Sequence, residues 1–506
     1  MSAARRHVAI DLGASSGRVM EVAIGGSEAD GGALRVRELH RFQNAPVRAH
    51  HAGGVTLCWP FERIWDGVLE GLRAAAAEGP VDSIGIDSWA VDYALVDDAG
   101  ELVRPIAAYR DPRTREPFER LRATLGDEAI YAATGIAFQP FNTIYQLAAD
   151  AADPMRPLER AHRLLMLPDF LAMRLCGSRA VERTNASSTQ LLDASTRRWN
   201  MDLVRATGAP SRILPELCDA AQGEPLGTLL DDIADETGLS PDTPVLAVGT
   251  HDTASAVLAA PIDPRRDLYV SSGTWSLVGA ELARPVLSTA ARAGNFTNEL
   301  GVFGTVRFLR NVAGLWLVQQ LEASFEAAGR RRSWAELAAL AEGSDALRSV
   351  VDPDDPSLFA PGNMAEHLAA LCRARGEPVP ESDAQLVRCA LDSVALATAR
   401  AARGIADAAR TSAPGFEPAR IVIVGGGAAN ALLNQLVADA SALPVETGHA
   451  ESTAIGNALA QHAAIEGISD ARPLRELVRG SCDARRFEPD FARAAAMRDA
   501  EQRLSR

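Results

Sequence analysis

The first forty residues set a pattern of apolar and polar positions that returns later in the chain. His7–Asp11 is a short apolar run ending on a carboxylate, Gly13-Ala14-Ser15-Ser16-Gly17 is a cluster of small residues, and Arg18–Ile24 alternates with period two. Small residues between two extended runs predict a hairpin. The unit recurs as Leu268–Ser271, the turn Ser272-Gly273-Thr274 and Ser276–Ala280. Recurrence near the start of each half predicts a duplicated architecture, against the plain alternative of two unrelated hairpins. Between the halves, Pro261-Ile262-Asp263-Pro264-Arg265-Arg266 is rich in breakers. The expected domains are therefore 1–261 and 262–470, followed by a peripheral charged tail, 471–506.

Between these landmarks, Trp65–Ala77, Asp127–Thr134, Pro157–Leu165, Asp169–Leu175, Asp202–Thr207 and Ala254–Ala260 fit helices, as do Trp334–Ala341, Glu381–Thr411, Asn430–Ser441 and Ala454–Ile465. Val81–Asp87, Tyr93–Val96, Pro244–Val248, Ile421–Val424 and Leu443–Glu446 fit strands.

Composition narrows the chemistry. A chain of 506 residues suits two large domains. The formal charge of −15 makes it a poor binder of nucleic acid or anionic membrane overall. All 51 basic residues are Arg, with no Lys in the sequence. That excludes a Walker A lysine, a protein-kinase ATP lysine, a Schiff base and a lysine general base. The N-terminal apolar run stops at Asp11, too short for a signal h-region. The uncharged stretch Ile421–Ala438 holds three Gly, two Asn and Gln435, which make a poor membrane span. A cytoplasmic protein is expected, its six cysteines packed as thiols. Cys372 and Cys389 flank a Gly/Pro-rich loop and are the pair that can approach each other.

Three glycine-bearing segments are candidate nucleotide loops. In the first, Asp11 ends a strand and small residues follow through Gly17 to Arg18, offering backbone N–H groups to phosphates and a carboxylate to Mg²⁺. In the second, Ser271–Ser276 offers hydroxyls and amides at a tight turn. Either is equally an ordinary turn. The third, Gly425-Gly426-Gly427-Ala428-Ala429-Asn430, follows a strand and opens a helix. With Glu446 beyond it, it approaches a dinucleotide fingerprint. Asn at its last position, and only 76 residues after Asn430, fit a base or ribose platform better.

Gly249-Thr250-His251-Asp252-Thr253 joins a buried strand to a helix. An Asp there is either a helix cap or a general base for a substrate hydroxyl, as phosphoryl transfer needs. His251 suits a polar substrate contact, since no second His stands at ligand spacing. Ile86–Tyr93 packs Asp87, Trp89, Asp92 and Tyr93 into a strand–turn. It reads as a polyol site or as a solvated turn with core aromatics.

Taken together these segments resemble the FGGY carbohydrate kinases, within the sugar kinase and actin superfamily. The resemblance rests on Asp11–Arg18, Ile86–Tyr93, Tyr109–Thr114, Thr184–Gln190, Gly249–Ser255, Ser271–Leu277, Asn298-Glu299, Asn311–Leu317 and Val424–Gly427. They stand in the family's order over nearly the whole chain. The resemblance implies an α/β fold of two actin-like (ribonuclease H-like) ATPase domains flanking a catalytic cleft. It implies Asp252 as catalytic base and Ala14, Ser15, Ser16, Gly17 and Arg18 as the first phosphate loop. Thr274, Gln319 and Gly426 match other ATP contacts. Ala90, His251, Asp252, Thr253 and Asn311 match sugar contacts, and Asp11 stands near Mg²⁺. Its most specific blocks are those of the branch that phosphorylates L-rhamnulose on the 1-hydroxyl with MgATP. That branch carries Gly where this chain has Ala90. The open alternatives are a sibling kinase for L-fuculose, xylulose or glycerol, a non-catalytic actin-like nucleotide binder, and a Rossmann oxidoreductase. A monomer or small homo-oligomer is expected, with no nucleic-acid or membrane partner.

Overall fold

The computed structural model describes residues 4–25, 34–51, 54–359 and 362–504. The chain divides into two units, each discontinuous in sequence. The first comprises Met1–Ala259, Ala283–Arg307 and Ser452–Ser481, and the second Ala260–Leu282, Phe308–Glu451 and Cys482–Arg506.

In the first unit, strand Arg5–Leu12 turns into Ser16–Ile24 with Asp11 opposite Arg18. Leu34–Gln43 adds antiparallel to the second strand. On the other side of Arg5–Leu12, Ser83–Ser88 runs parallel, with Asp11 opposite Asp87, and Pro244–Val245 runs parallel beyond it. The period-two rule explains how the central strand is covered on both faces. Val8, Ile10 and Leu12 share a cluster with Trp65, Val68 and Leu72 of helix Phe61–Ala77. The intervening Ala9 packs with Ala454 of helix Ser452–Glu466, and the ring of His7 meets His462 edge-on.

The same helix comes so close that Gly85 has no room for a side chain. A Cβ there would lie 2.4 Å from Asn457 Oδ1 and 2.7 Å from Gln461 Nε2. The chain first crosses from the first unit to the second at Ala259–Ala260, two residues from the expected boundary, and the return of Ala283–Arg307 and Ser452–Ser481 to the first unit makes the division discontinuous. Sequence reading placed a boundary at the breaker-rich Pro261–Arg266 because it sees breakers, whereas the long-range docking of a helix leaves no local signal.

The second unit repeats the strand order. Asp267–Ser272 turns into Trp275–Leu282, Arg420–Val424 runs parallel to Asp267–Ser272, and Val445–Thr447 runs parallel beyond that. Arg486–Phe487 adds antiparallel at the edge. Helix Ala494–Leu504 buries Met497, Ala500 and Leu504. Residues read as a peripheral tail thus extend a sheet and contribute to a core. Helix Asp383–Ala409, capped by Ser382 accepting from Gln385 N, is largely buried in this unit.

One element differs in kind from its prediction. Pro157–Leu165 is not one helix: Pro157–Arg160 is a single turn and Arg163–Met166 is a strand paired antiparallel with Tyr93–Val96. Leu164, Leu165 and Met166 are buried there, and strand pairing overrides the local helical pattern. No helix among the described residues is long and apolar enough to cross a membrane. Cys372 and Cys389 are free thiols, as are the other four cysteines.

Candidate active site

In the first unit, Gly249–Thr253 is held from several sides. Thr250 O accepts from Ser88 N at 2.9 Å, and Ser255 Oγ donates to Gly249 O at 2.7 Å. The buried carboxylate of Glu182 accepts from Thr250 N at 3.1 Å, Thr250 Oγ1 at 3.0 Å and Thr184 N at 2.9 Å. Thr184 Oγ1 in turn accepts from His251 N at 3.3 Å. Asp252 opens helix Asp252–Leu258, but the cap position is His251, whose side chain makes no capping bond. The Asp252 carboxylate accepts from Thr253 Oγ1 at 3.0 Å, lies 3.4 Å from His251 Nε2, and its side chain is 32% exposed. A fixed, accessible carboxylate not used as a cap is what a general base requires.

The turn after Asp11 is closed by Gly13 N donating to Ser16 O at 2.9 Å, and Asn44 Nδ2 donates to Gly13 O at 3.1 Å. Ala14, Ser15 and Ser16 are at least partly exposed. Gly17 is different: it is buried, and a Cβ there would lie 2.2 Å from the Phe42 ring. Its lack of a side chain serves packing beneath the turn. Arg18 pairs with the buried Asp11 carboxylate. Beside them Asp87 is fully buried. Its Oδ2 accepts from Asn457 Nδ2 at 2.6 Å, while Oδ1 has no hydrogen-bond partner among the described residues. Burial, and then the neighbouring Asp11 charge, push the Asp87 carboxyl well above the usual carboxylate range.

Most polar groups of the Ile86–Tyr93 block are taken up internally. Asp92 is buried and accepts from Trp59 Nε1 at 2.6 Å, Trp89 Nε1 at 2.9 Å, Gln146 Nε2 at 3.0 Å and Tyr109 N at 3.2 Å. Tyr93 is buried with its hydroxyl on Asp150 at 2.5 Å. Asp92 therefore positions aromatic faces rather than meeting a ligand. Ala90 is half-buried, next to Val91, which is held at φ 69°. Left-handed backbone is costly for a β-branched residue. Thr143 Oγ1 and Gln146 Nε2, donating to Val91 O at 2.7 and 3.2 Å, hold it there.

In the second unit, a cavity of about 1480 Å³ is lined by Gly273, Leu315, Gln319, Trp334, Gly426 and Asn430 among others. Gly425 adopts φ +82°, and a Cβ at Gly427 would lie 2.0 Å from Ser272 Oγ. Of the residues expected to meet ATP here, Gln319 and Gly426 line the cavity and Thr274 does not. Asn311 Oδ1 is buried with no partner among the described residues. Glu446, the acidic residue a dinucleotide fingerprint would use on ribose, is instead bound by Arg420. Asn430 caps helix Ala431–Ser441, accepting from Leu433 N at 3.0 Å.

The sequence matches the N-terminal domain of the FGGY family of carbohydrate kinases over residues 7–259 and the C-terminal domain over 268–465. The chain belongs to the FGGY family of carbohydrate kinases. A rhamnulokinase from Pectobacterium carotovorum subsp. carotovorum is 40% identical over 501 residues, covering 97% of this chain and 95% of the relative. One from Oceanobacillus iheyensis is 36% identical over 479 residues, covering 94% and 97%. Among solved structures, a gluconate kinase from Lactobacillus acidophilus has TM-score 0.79 at 15% identity, covering 99% of this chain and 97% of that one. A xylulose kinase from Rhodospirillum rubrum has TM-score 0.76 at 21% identity, covering 99% and 98%. These likenesses show the two-domain sugar-kinase fold.

Membership of the FGGY family implies ATP as phosphoryl donor. It removes the oxidoreductase alternative, in agreement with the use of Glu446 by Arg420. Sequence reasoning did not single out Glu182, Asn457 or Arg307, and quoted Glu299 only as part of a block. Glu182 lies two residues before Thr184, the first residue of another quoted block, and that adjacency was the only available signal.

Proposed function

We propose that this carbohydrate kinase transfers the γ-phosphoryl group of MgATP to the 1-hydroxyl of L-rhamnulose, in L-rhamnose degradation. The observation that carries the reading is the Asp252 carboxylate, accessible, unused as a cap and fixed beside His251 and Thr253. Near-full-length similarity to rhamnulokinases supports the substrate. In the reaction Asp252 accepts the proton of the sugar's 1-hydroxyl as that oxygen bonds to the γ-phosphorus and ADP leaves. His251, Thr253, Asn311 and the neighbourhood of Ala90 orient the sugar.

Mg²⁺ brought in with ATP keeps several waters and binds through one or two carboxylates plus phosphates. Asp11, with the unpartnered Asp87 Oδ1 beside it, is the hard-oxygen set available. The ion supplies charge neutralisation on the phosphates. Without Lys, Arg18 and the amides of Ala14–Gly17, Thr274 and Gly426 are left for the rest. Free thiols throughout suit a reducing cytoplasm.

The test is ADP release across a ketose and polyol panel. L-rhamnulose is expected to give the highest kcat/KM, with phosphate on C1, and epimers to lose about tenfold or more per misplaced hydroxyl. A higher kcat/KM for xylulose, L-fuculose or glycerol overturns the substrate assignment.

A further inference from the structure

Behind His251 lie two charged side chains that the mechanism above does not use. Arg307 is 0% exposed and Glu299 10%. A buried ion pair contributes little net stability compared with a well-packed apolar pair, so its place beside the sugar site calls for another explanation. Arg307 Nε donates to Leu300 O at 3.0 Å. Its Nη2 lies 3.0 Å from His251 Nδ1 and 3.1 Å from Glu299 Oε2, and those two acceptor positions are 3.2 Å apart. On the far side of the ring, Nε2 lies 3.4 Å from Asp252 Oδ1.

A guanidinium has donors only. Nη2 donates a hydrogen to Nδ1, while its contact with Glu299 Oε2 is an ion pair without a hydrogen bond among the described residues. The Nδ1 that receives such a hydrogen is a bare lone pair, so the ring proton is on Nε2. We propose that Arg307, oriented by Glu299, is a positioning residue that fixes His251 as the Nε2–H tautomer. The ring then presents a donor to Asp252 and to a sugar oxygen beside it. The reverse tautomer would set an Nδ1 hydrogen against the Nη2 donor of Arg307, two donors face to face. The inference rests on Asp252 as the base of the sugar site.

The test is ¹⁵N NMR on the full chain labelled at histidine, with the His251 signals identified by their loss in His251→Asn. A pyridine-type Nδ1 and a protonated Nε2 are expected. A protonated Nδ1, alone or in a doubly protonated ring at neutral pH, overturns the proposal. Arg307→Met should move the proton to Nδ1, where Glu299 accepts it. It should raise KM for the sugar about tenfold, the scale of one lost hydrogen bond, with a smaller change in kcat. Arg307→Lys keeps a donor and should keep the tautomer. An unchanged tautomer in Arg307→Met also overturns the proposal. Should that variant fail to fold, the parent spectrum alone decides. The spectrum does not depend on turnover, so failure of Asp252 as base, seen as an active Asp252→Asn, is read separately.

Discussion

The opening hairpins of the two units share a strand order and differ in what stands at the strand ends. In the first unit Asp11 lies opposite Asp87 on the parallel neighbour, with Arg18 across the hairpin. In the second, Ser271 lies opposite Val424, and the chain continues into Gly425 at φ +82° and Gly427 pressed against Ser272. One copy carries paired charges at its turn, and the other has no side-chain charge at the matching place. The fold supplies two equivalent strand ends and the residues decide their chemistry. The first suits acid–base and cation chemistry, and the second suits close approach of backbone to a nucleotide.

The sharpest way to break this contrast is to disable each unit separately. Asp252→Asn should lower kcat on the order of 10²–10⁴, the usual cost of a lost general base, while ATP affinity stays as in the parent. Near-normal turnover would remove Asp252 from the mechanism. Next in size is Gly456→Ala. A Cβ at Gly456 would lie 1.7 Å from Ser255 O, so helix Ser452–Glu466 would push helix Asp252–Leu258 and with it the base. Overpacking of this kind costs about 1–3 kcal/mol, and both Tm and kcat should fall. An unchanged kcat would mean that the helix contact does not hold Asp252 in place. Gly427→Ala is the matching change in the second unit, with its Cβ 2.0 Å from Ser272 Oγ. It should raise KM for ATP about tenfold, the equivalent of about 1.4 kcal/mol, and leave KM for the sugar alone. Equal effects on both substrates would contradict the division of labour.

What the sequence revealed follows the same contrast. Both hairpins, the Gly249–Thr253 loop and the glycine platform were legible because each is a local pattern of a few neighbouring residues. The partners that fix them were not. Glu182 reaches Thr250, Asn457 reaches Asp87, and Arg307 reaches His251 across 68, 370 and 56 positions. Such contacts depend on tertiary docking and leave no periodic trace. One reading was legible but misplaced in role: Asp92 looked like a polyol carboxylate and holds two indoles. Pattern gives residue type and spacing, whereas burial decides whether a polar group faces a ligand or its own core.

The smallest effect expected separates the two sheets by pH. The first unit's central strand carries His7 near its start, whereas the second unit's begins on Asp267, bound by Arg420 at 3.0 Å. His7 is buried, with Nδ1 2.8 Å from Ser83 Oγ and Nε2 without a partner among the described residues. Ser83 Oγ donates to Gln461 Oε1 at 2.7 Å, so it accepts from His7 Nδ1 and leaves a lone pair on the orphaned Nε2. Burial first, then the nearby His462 and Arg5, lower its pKa to about 3. The folded chain therefore binds fewer protons than the unfolded chain, where histidine titrates near about 6.5. The sign follows: stability is intact above that value and is lost as pH falls below it towards about 3. Between about pH 7.5 and 5.5 the loss from this one group is about 1 kcal/mol. His7→Gln removes the titration, so its denaturation midpoint should drop less than the parent's over that interval. Equal drops in the two chains would show that His7 is protonated in the folded state and that the sheet accommodates the charge.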